Sequence, residues 1–302
     1  MDILEVRGLS KRFGSHQIID KIDFTVPEGS IFGFIGVNGA GKTTTMKMIL
    51  GLLASDDGEI YVCGEKVTFG ATKTNRHIGF LPDVPEFYGY MKPKEYLELC
   101  GEIVGMSKEQ AKVRTVELLS LVGLADVNRK IGGFSRGMKQ RLGMAQALLN
   151  EPKLLICDEP TSALDPMGRK EILDILMAIK GKTTVIFSTH ILSDVERVCD
   201  QVAILDGGKI VLDGTLSDIR SKQKVEQILI EFSDEKDKER FISLKKQKLQ
   251  GAWDDLQLLL DVSDVKEGQR QLMKQLLEND ILPIRLEVQT PTLEHLFLEV
   301  IQ

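Results

Sequence analysis

A chain of 302 residues exceeds one typical domain, and its 42% hydrophobic and 28% charged residues are those of a globular protein rather than a disordered or fibrous one. A net charge of −6 argues against a nucleic-acid footprint, and no run approaches the roughly 18 apolar residues of a membrane span. Cys63, Cys100, Cys157 and Cys199 show no C-x-x-C spacing, so they are expected to be buried, reduced thiols in a cytoplasmic setting, not a disulfide or metal framework.

The chain opens as a strand rather than a signal peptide, over residues 3–6, and a second strand over 18–26 is expected after a turn at 11–16. Phe13, at that turn, is placed to cover the face of an adenine ring. Residues 31–35 form a buried strand that breaks into glycines and then opens a helix over 42–50. Gly36, Gly41, Lys42 and Thr43 fill the pattern G-x-x-x-x-G-K-[ST]. Glycines at those places let backbone N–H groups of the loop curl around phosphate oxygens, and the following helix aims its positive end at the same anion. Gly36, Asn38, Gly39, Ala40, Gly41, Lys42, Thr43 and Thr44 are therefore the nucleotide-binding candidates. Lys42 is expected to reach the β- and γ-phosphates, and the Thr43 hydroxyl to join a Mg²⁺ shell.

Strands follow at 59–62 and 77–81, then an amphipathic helical stretch from 92 to 122 that interrupts the sheet. Strands and helices alternate again from 137 to 205, with a closing helix at 215–221, which is the pattern of a parallel sheet covered by helices. Residues 154–160 are a buried strand ending in adjacent carboxylates. Asp158 is placed to hold Mg²⁺ and Glu159 to polarise an attacking water as general base. Residues 134–141 open a helix with Ser135 as N-cap and Gly137 leaving backbone N–H groups bare. This is a second anion-binding helix start in a chain with one phosphate loop, so its economical role is to serve the nucleotide of another copy. Beyond residue 222 apolar runs at 225–232, 256–262 and 284–288, with helices near 235–242, 266–278 and 293–300, predict a small α+β domain.

Taken in order, Phe13, the phosphate loop, Leu81-Pro-Asp83, the signature Phe134 to Met138, Asp158-Glu159, Ser162-Ala-Leu-Asp165 and Ser188-Thr-His190 resemble the ATP-binding subunit of an ABC transporter over residues 1 to about 220. That resemblance implies an α/β P-loop NTPase of ABC type, a mixed-sheet core with an antiparallel β layer and a helical subdomain, plus a small C-terminal α+β domain. The boundaries it implies are 1–221 for the nucleotide-binding domain, with its helical subdomain at about 84–150, and 222–302 for an accessory domain. It implies ATP and Mg²⁺ as cofactors and ATP hydrolysis as the activity. Glu159, His190 and Asp83 would be catalytic, Thr43, Asp158 and Asp83 would face the metal, and Ser135 and Gly137 would contact the γ-phosphate held by a partner's Lys42. Asp165 would cross the interface of a homodimer.

Within the family, the sequence Ser-Arg-Gly-Met-Lys-Gln-Arg at 135–141, the single cassette and the ending at 291–299 resemble ABC-2 type exporters, whose transmembrane permease is a separate chain. This places the subunit in the cytoplasm, peripheral on the inner face of the cell membrane, with the 92–122 region and the Asp83 loop receiving short helices of the permease. An ABC-type ATPase working on nucleic acid or ribosomes is disfavoured by the acidic charge, the lack of long heptads and the lack of a second cassette. An importer subunit is the nearer alternative, against which the signature variant and tail argue only by resemblance. The chain departs from the family at three places: Arg136 stands where glycine is usual, Met138 where glutamine is usual, and Asp83 where glutamine is usual. Asp83 adds negative charge beside a triphosphate.

Overall fold

The computed structural model describes residues 2–71, 73–222, 226–244, 253, 254, 256–262, 264–289 and 293. The chain divides into a unit that ends at Leu216 and a second that begins at Ser217.

In the first unit, β1 (Asp2–Phe13) and β2 (His16–Pro27) form an antiparallel hairpin, extended by β4 (Asp57–Val62) and β5 (Glu65–Lys66) into a sheet of order β2-β1-β4-β5. Strand β1 runs through half of the segment that the sequence assigned to a turn, and β2 takes its last residue. Lys11 pairs with Ile19 and Arg12 with Gln17, leaving Gly14 and Ser15 as the connection. The charged pair Lys11-Arg12 hides the strand because its polar groups are satisfied by one residue: Asp56 accepts from Lys11 Nζ at 2.8 Å and from the Arg12 backbone N–H at 2.6 Å.

The central sheet has the order β10-β9-β3-β8-β7-β6, from β3 (Ile31–Ile35), β6 (Ile78–Leu81), β7 (Leu154–Cys157), β8 (Thr184–Thr189), β9 (Gln201–Asp206) and β10 (Lys209–Thr215). All pairings are parallel except β9 with β10. Every residue of β3, β7 and β8 is buried, as a parallel strand covered on both faces demands. The sequence did not reveal β10, an edge strand of alternating exposure reached through the left-handed pair Gly207 and Gly208. Helix α1 (Lys42–Ile49) lies in the core between the two sheets, where Met46, Met48 and Ile49 join Leu4, Phe34, Ile156 and Ile186.

The helical stretch resolves into α2 (Pro93–Ile103) and α3 (Lys108–Leu121). Gly105 at φ +90° ends the first, and a Ser107–Gln110 capping box starts the second: Gln110 N–H donates to Ser107 Oγ at 3.2 Å and Ser107 N–H to Gln110 Oε1 at 2.9 Å. Both hold the following helix, α4 (Arg136–Ala147). Arg114 Nη2 donates to the Leu148 carbonyl just past its last turn at 2.9 Å, and Tyr96 Oη meets Gln146 Oε1 at 3.1 Å. Helices α5 (Pro166–Ile179) and α6 (Leu192–Val198) complete the alternation, and α7 (Leu216–Lys222) spans the division between the units. Among the described residues no helix is long and apolar enough to cross a membrane.

In the second unit an antiparallel sheet of order β12-β13-β11-β14 is made by β11 (Glu226–Glu231), β12 (Trp253–Asp254), β13 (Gln257–Val262) and β14 (Arg285–Gln289). Helices α8 (Glu235–Leu244) and α9 (Val265–Glu278) accompany it, and Ile228, Ile230, Phe232, Phe241, Leu258 and Leu272 form its core. The helix expected at 293–300 lies outside the described residues, apart from Leu293.

Candidate functional site

Because β3, β8 and β7 are parallel neighbours, their carboxyl ends emerge side by side, which brings three separate stretches of sequence together. Strand β3 delivers the glycine loop. A Cβ on Gly36 would stand 2.6 Å from the Leu205 carbonyl oxygen, and Gly41, at φ +109°, would press one 2.5 Å from Ile19 Cδ1. Only glycine fits either place. Asn38 and Gly39 are exposed at the loop's outer edge, Ala40 is buried beneath it, and Thr43 and Thr44 reach its surface. Helix α1 starts at Lys42 with no side-chain cap and no acidic residue in its first turn, so its N-terminal N–H groups face outward unneutralised. The Lys42 ammonium is buried and donates to the Gly36 carbonyl at 2.7 Å and the Val37 carbonyl at 3.2 Å. The loop thus holds its own cation in place.

Strand β7 leads directly into Asp158, which is buried, and Glu159, whose backbone is left-handed at φ +49°. A glutamate in that region is strained by about 1–2 kcal/mol, a cost met at functional sites. Glu159 joins the other two stretches: Oε1 stands 3.1 Å from Lys42 Nζ, and Oε2 is 2.9 Å from Nδ1 of His190, just beyond β8. The first contact is Coulombic attraction without hydrogen-bond alignment, since Oε1 is buried and has no hydrogen-bond partner. A carboxylate oxygen fixed by a strained backbone, beside a cation and free to accept a proton, is the arrangement general-base chemistry needs. Ser188 of β8, to which the sequence analysis gave no role, bonds the Asp158 carboxylate and the Glu159 backbone N–H; the signal was a polar residue in a strand otherwise reading as fully buried.

The second helix start is built as expected but apart from the first. Ser135 is the N-cap of α4, accepting the Met138 N–H at 3.3 Å, and a Cβ on Gly137 would meet nothing closer than Leu164 Cδ2 at 4.0 Å. The cavity in front of them, about 340 Å³, is lined by residues 135–138, 141, 163–165, 167, 168 and 171, with none from the phosphate loop of the same chain. Asp165 caps α5 here, accepting the Gly168 N–H at 3.0 Å.

Two departures from the family pattern meet each other. Arg136 Nη2 lies 3.2 Å from Asp83 Oδ1, while the fully buried Gln140 donates to the Asp83 carbonyl at 3.0 Å, so the loop after β6 is tied to the first two turns of α4. Burial pushes the Asp83 carboxyl above the usual carboxylate range, Arg136 opposes this, and Asp158 and Glu159 reinforce it. Both partners of the ion pair are about half exposed, so its coupling energy is about 0.2–1 kcal/mol. In urea unfolding, Asp83→Asn and Arg136→Ala together should therefore cost less than the sum of the single changes by that amount; strict additivity would contradict the pairing.

Phe13 is exposed at the end of β1, with Lys11 Nζ 5.5 Å from its ring centroid, so its ring is open to a stacking partner. The four cysteines are free; Cys157 is buried as expected, whereas Cys63, Cys100 and Cys199 are partly exposed, and burial pushes all four thiols up.

Residues 19–162 match the ABC transporter family. The ABC transporter ATP-binding protein YxlF of Bacillus subtilis is 37% identical over 99% of both chains. The linearmycin resistance ATP-binding protein LnrL of the same organism is 33% identical over 99% of this chain and 98% of its own. A dimeric post-hydrolysis structure of the ATP-binding cassette MJ0796, bound to ADP and Pi, superimposes with a TM-score of 0.63 at 25% identity, over 70% of this chain and 98% of that one. Fold, phosphate loop and relatives agree: the chain belongs to the ABC transporter family, as an α/β P-loop ATPase that binds and hydrolyses ATP.

Proposed function

We propose that this chain powers export through an ABC-2 type permease made of separate polypeptides, and that two copies pair head to tail around ATP. The observation that carries the pairing is the cavity before Ser135 and Gly137, which borders the first turns of α4 and α5 yet is lined by no phosphate-loop residue of its own chain. A second copy's triphosphate, held by its Lys42, supplies the missing anion. The dimeric state of the similar MJ0796 cassette and the linearmycin-resistance name of LnrL support pairing and export respectively.

In this reading Phe13 stacks on the adenine, while Gly36, Asn38, Gly39, Ala40, Gly41 and Thr44 form the backbone cradle of the phosphates. Lys42 exchanges its loop carbonyls for β- and γ-phosphate oxygens. Thr43 and Asp158 supply a hydroxyl and a carboxylate oxygen, hard donors that suit Mg²⁺ completed by phosphate and water. Magnesium, when bound, neutralises charge on the phosphates undergoing transfer. Glu159 takes the proton of the attacking water at Oε1, and His190 holds Oε2 so that Oε1 faces the substrate. Asp83 approaches the metal only by giving up its ion pair with Arg136. Val84, Tyr90 and Ile103 are largely exposed around this loop and α2, an apolar surface suited to short permease helices on the cytoplasmic face of the membrane.

Co-expression with a six-helix permease encoded beside it tests this. The two chains should co-purify, and ATP should drive outward movement of cargo in inside-out vesicles; ATP-driven movement in the opposite direction would make the subunit part of an importer.

A further inference from the structure

Ser188 carries an inference beyond this reading, though one that rests on Glu159 being the base. The residue is fully buried in β8, opposite Phe34 of the strand that feeds the phosphate loop, and two residues before His190. The ladder between β7 and β8 ends at the pair Cys157 and Phe187. One step further, the Ser188 side chain takes over from the backbone. Its Oγ accepts the Glu159 N–H at 2.9 Å and donates to Asp158 Oδ1 at 2.7 Å. Proton bookkeeping fixes the direction of both bonds. A backbone N–H can only donate, so the oxygen must receive it, and the single hydroxyl hydrogen is left for the carboxylate.

We propose that Ser188 is a positioning residue for ATP hydrolysis, whose one hydroxyl sets both the orientation of the Asp158 carboxylate and the left-handed backbone of Glu159. The bond to the Glu159 amide stabilises a conformation that glutamate avoids, at the residue whose side chain must face Lys42 and His190. Without it Glu159 relaxes toward an ordinary extended backbone and its carboxylate swings away from the reacting water. Displacements near 1 Å at a reacting centre cost about 100-fold in rate. The bond to Asp158 acts in parallel on the metal side, where removal of a partner that orients a ligand costs about 10–100-fold in affinity or activity.

The test compares Ser188→Thr with Ser188→Val, which share a shape and differ in the hydroxyl, and adds Ser188→Ala to report its loss without added bulk. ATP affinity by calorimetry, kcat, and the Mg²⁺ concentration for half-maximal activity are read on each purified chain. The Thr variant should stay within about 3-fold of wild type in kcat, while Val and Ala fall about 10–100-fold with ATP affinity unchanged and a raised Mg²⁺ requirement. In a Glu159→Gln background Ser188→Ala should lower the residual rate no further. Equal activity of the Thr and Val variants overturns the proposal, as does a loss confined to ATP affinity or thermal stability with kcat unchanged. A Glu159→Gln chain that turns over at the wild-type rate refutes instead the reading of Glu159 as base.

Discussion

Glu159→Gln lowers ATP turnover by about 10²–10⁴-fold while nucleotide binding survives. The amide keeps the size and shape of the carboxylate, so the contact with His190 and the strained turn at φ +49° persist. What disappears is the proton acceptor at Oε1, a buried oxygen without a hydrogen-bond partner beside Lys42. Lys42 loses one electrostatic neighbour but retains the Gly36 and Val37 carbonyls until phosphate replaces them, so the loop holds its shape. Phosphate release gives the rate and calorimetry the affinity. A variant that binds ATP and hydrolyses it as fast as wild type would remove Glu159 from the chemistry.

Lys42→Met acts one step earlier, on binding itself. The ammonium is buried, at 3.1 Å from Glu159 and bonded to two carbonyls of its own loop, so its position is fixed before phosphate arrives and little side-chain freedom is lost on binding. Charge-assisted hydrogen bonds to phosphate contribute about 1.5–3 kcal/mol each. Methionine, of similar length, fills the space but leaves Glu159 facing the triphosphate with no cation between them. ATP affinity should fall by at least about 10–100-fold and turnover below detection, with the thermal unfolding midpoint little changed. An ATP affinity within about 3-fold of wild type would show that the helix N-terminus and the loop amides hold the nucleotide without the lysine.

The phosphate loop and the Asp158-Glu159 strand end were legible because their chemistry is local: glycine spacing, the Lys-Thr pair and an apolar run closing in carboxylates all lie within a dozen residues. His190 was legible only in company, since nothing near it announces that its ring meets Glu159, 31 residues away. Other features stayed hidden for a common reason, that a partner distant in sequence changes what a residue means. Lys11 and Arg12 read as a turn until Asp56 satisfies them inside a strand. Asp83 and Arg136 read as two unrelated departures from the family pattern, yet they face each other across 53 residues. Ser188 read as the start of a histidine motif, because side-chain hydroxyls leave no periodic trace. Strand β10 escaped because an edge strand with one wet face and a two-glycine entry has the composition of a loop. In the second unit the apolar runs at 225–232, 256–262 and 284–288 do fall on β11, β13 and β14, since a short continuous apolar run such as the buried Leu258, Leu259 and Leu260 is itself a local strand signal.

The proposed shared site is tested most directly by the mass of the Glu159→Gln chain in solution with and without Mg²⁺-ATP, measured by multi-angle light scattering. Two phosphate loops, each closed by the other chain's Ser135 and Gly137, predict a monomer without nucleotide and a mass doubled on adding ATP, reversed by Ser135→Arg. A mass that stays monomeric in saturating ATP at high protein concentration, with the permease also supplied, would contradict it.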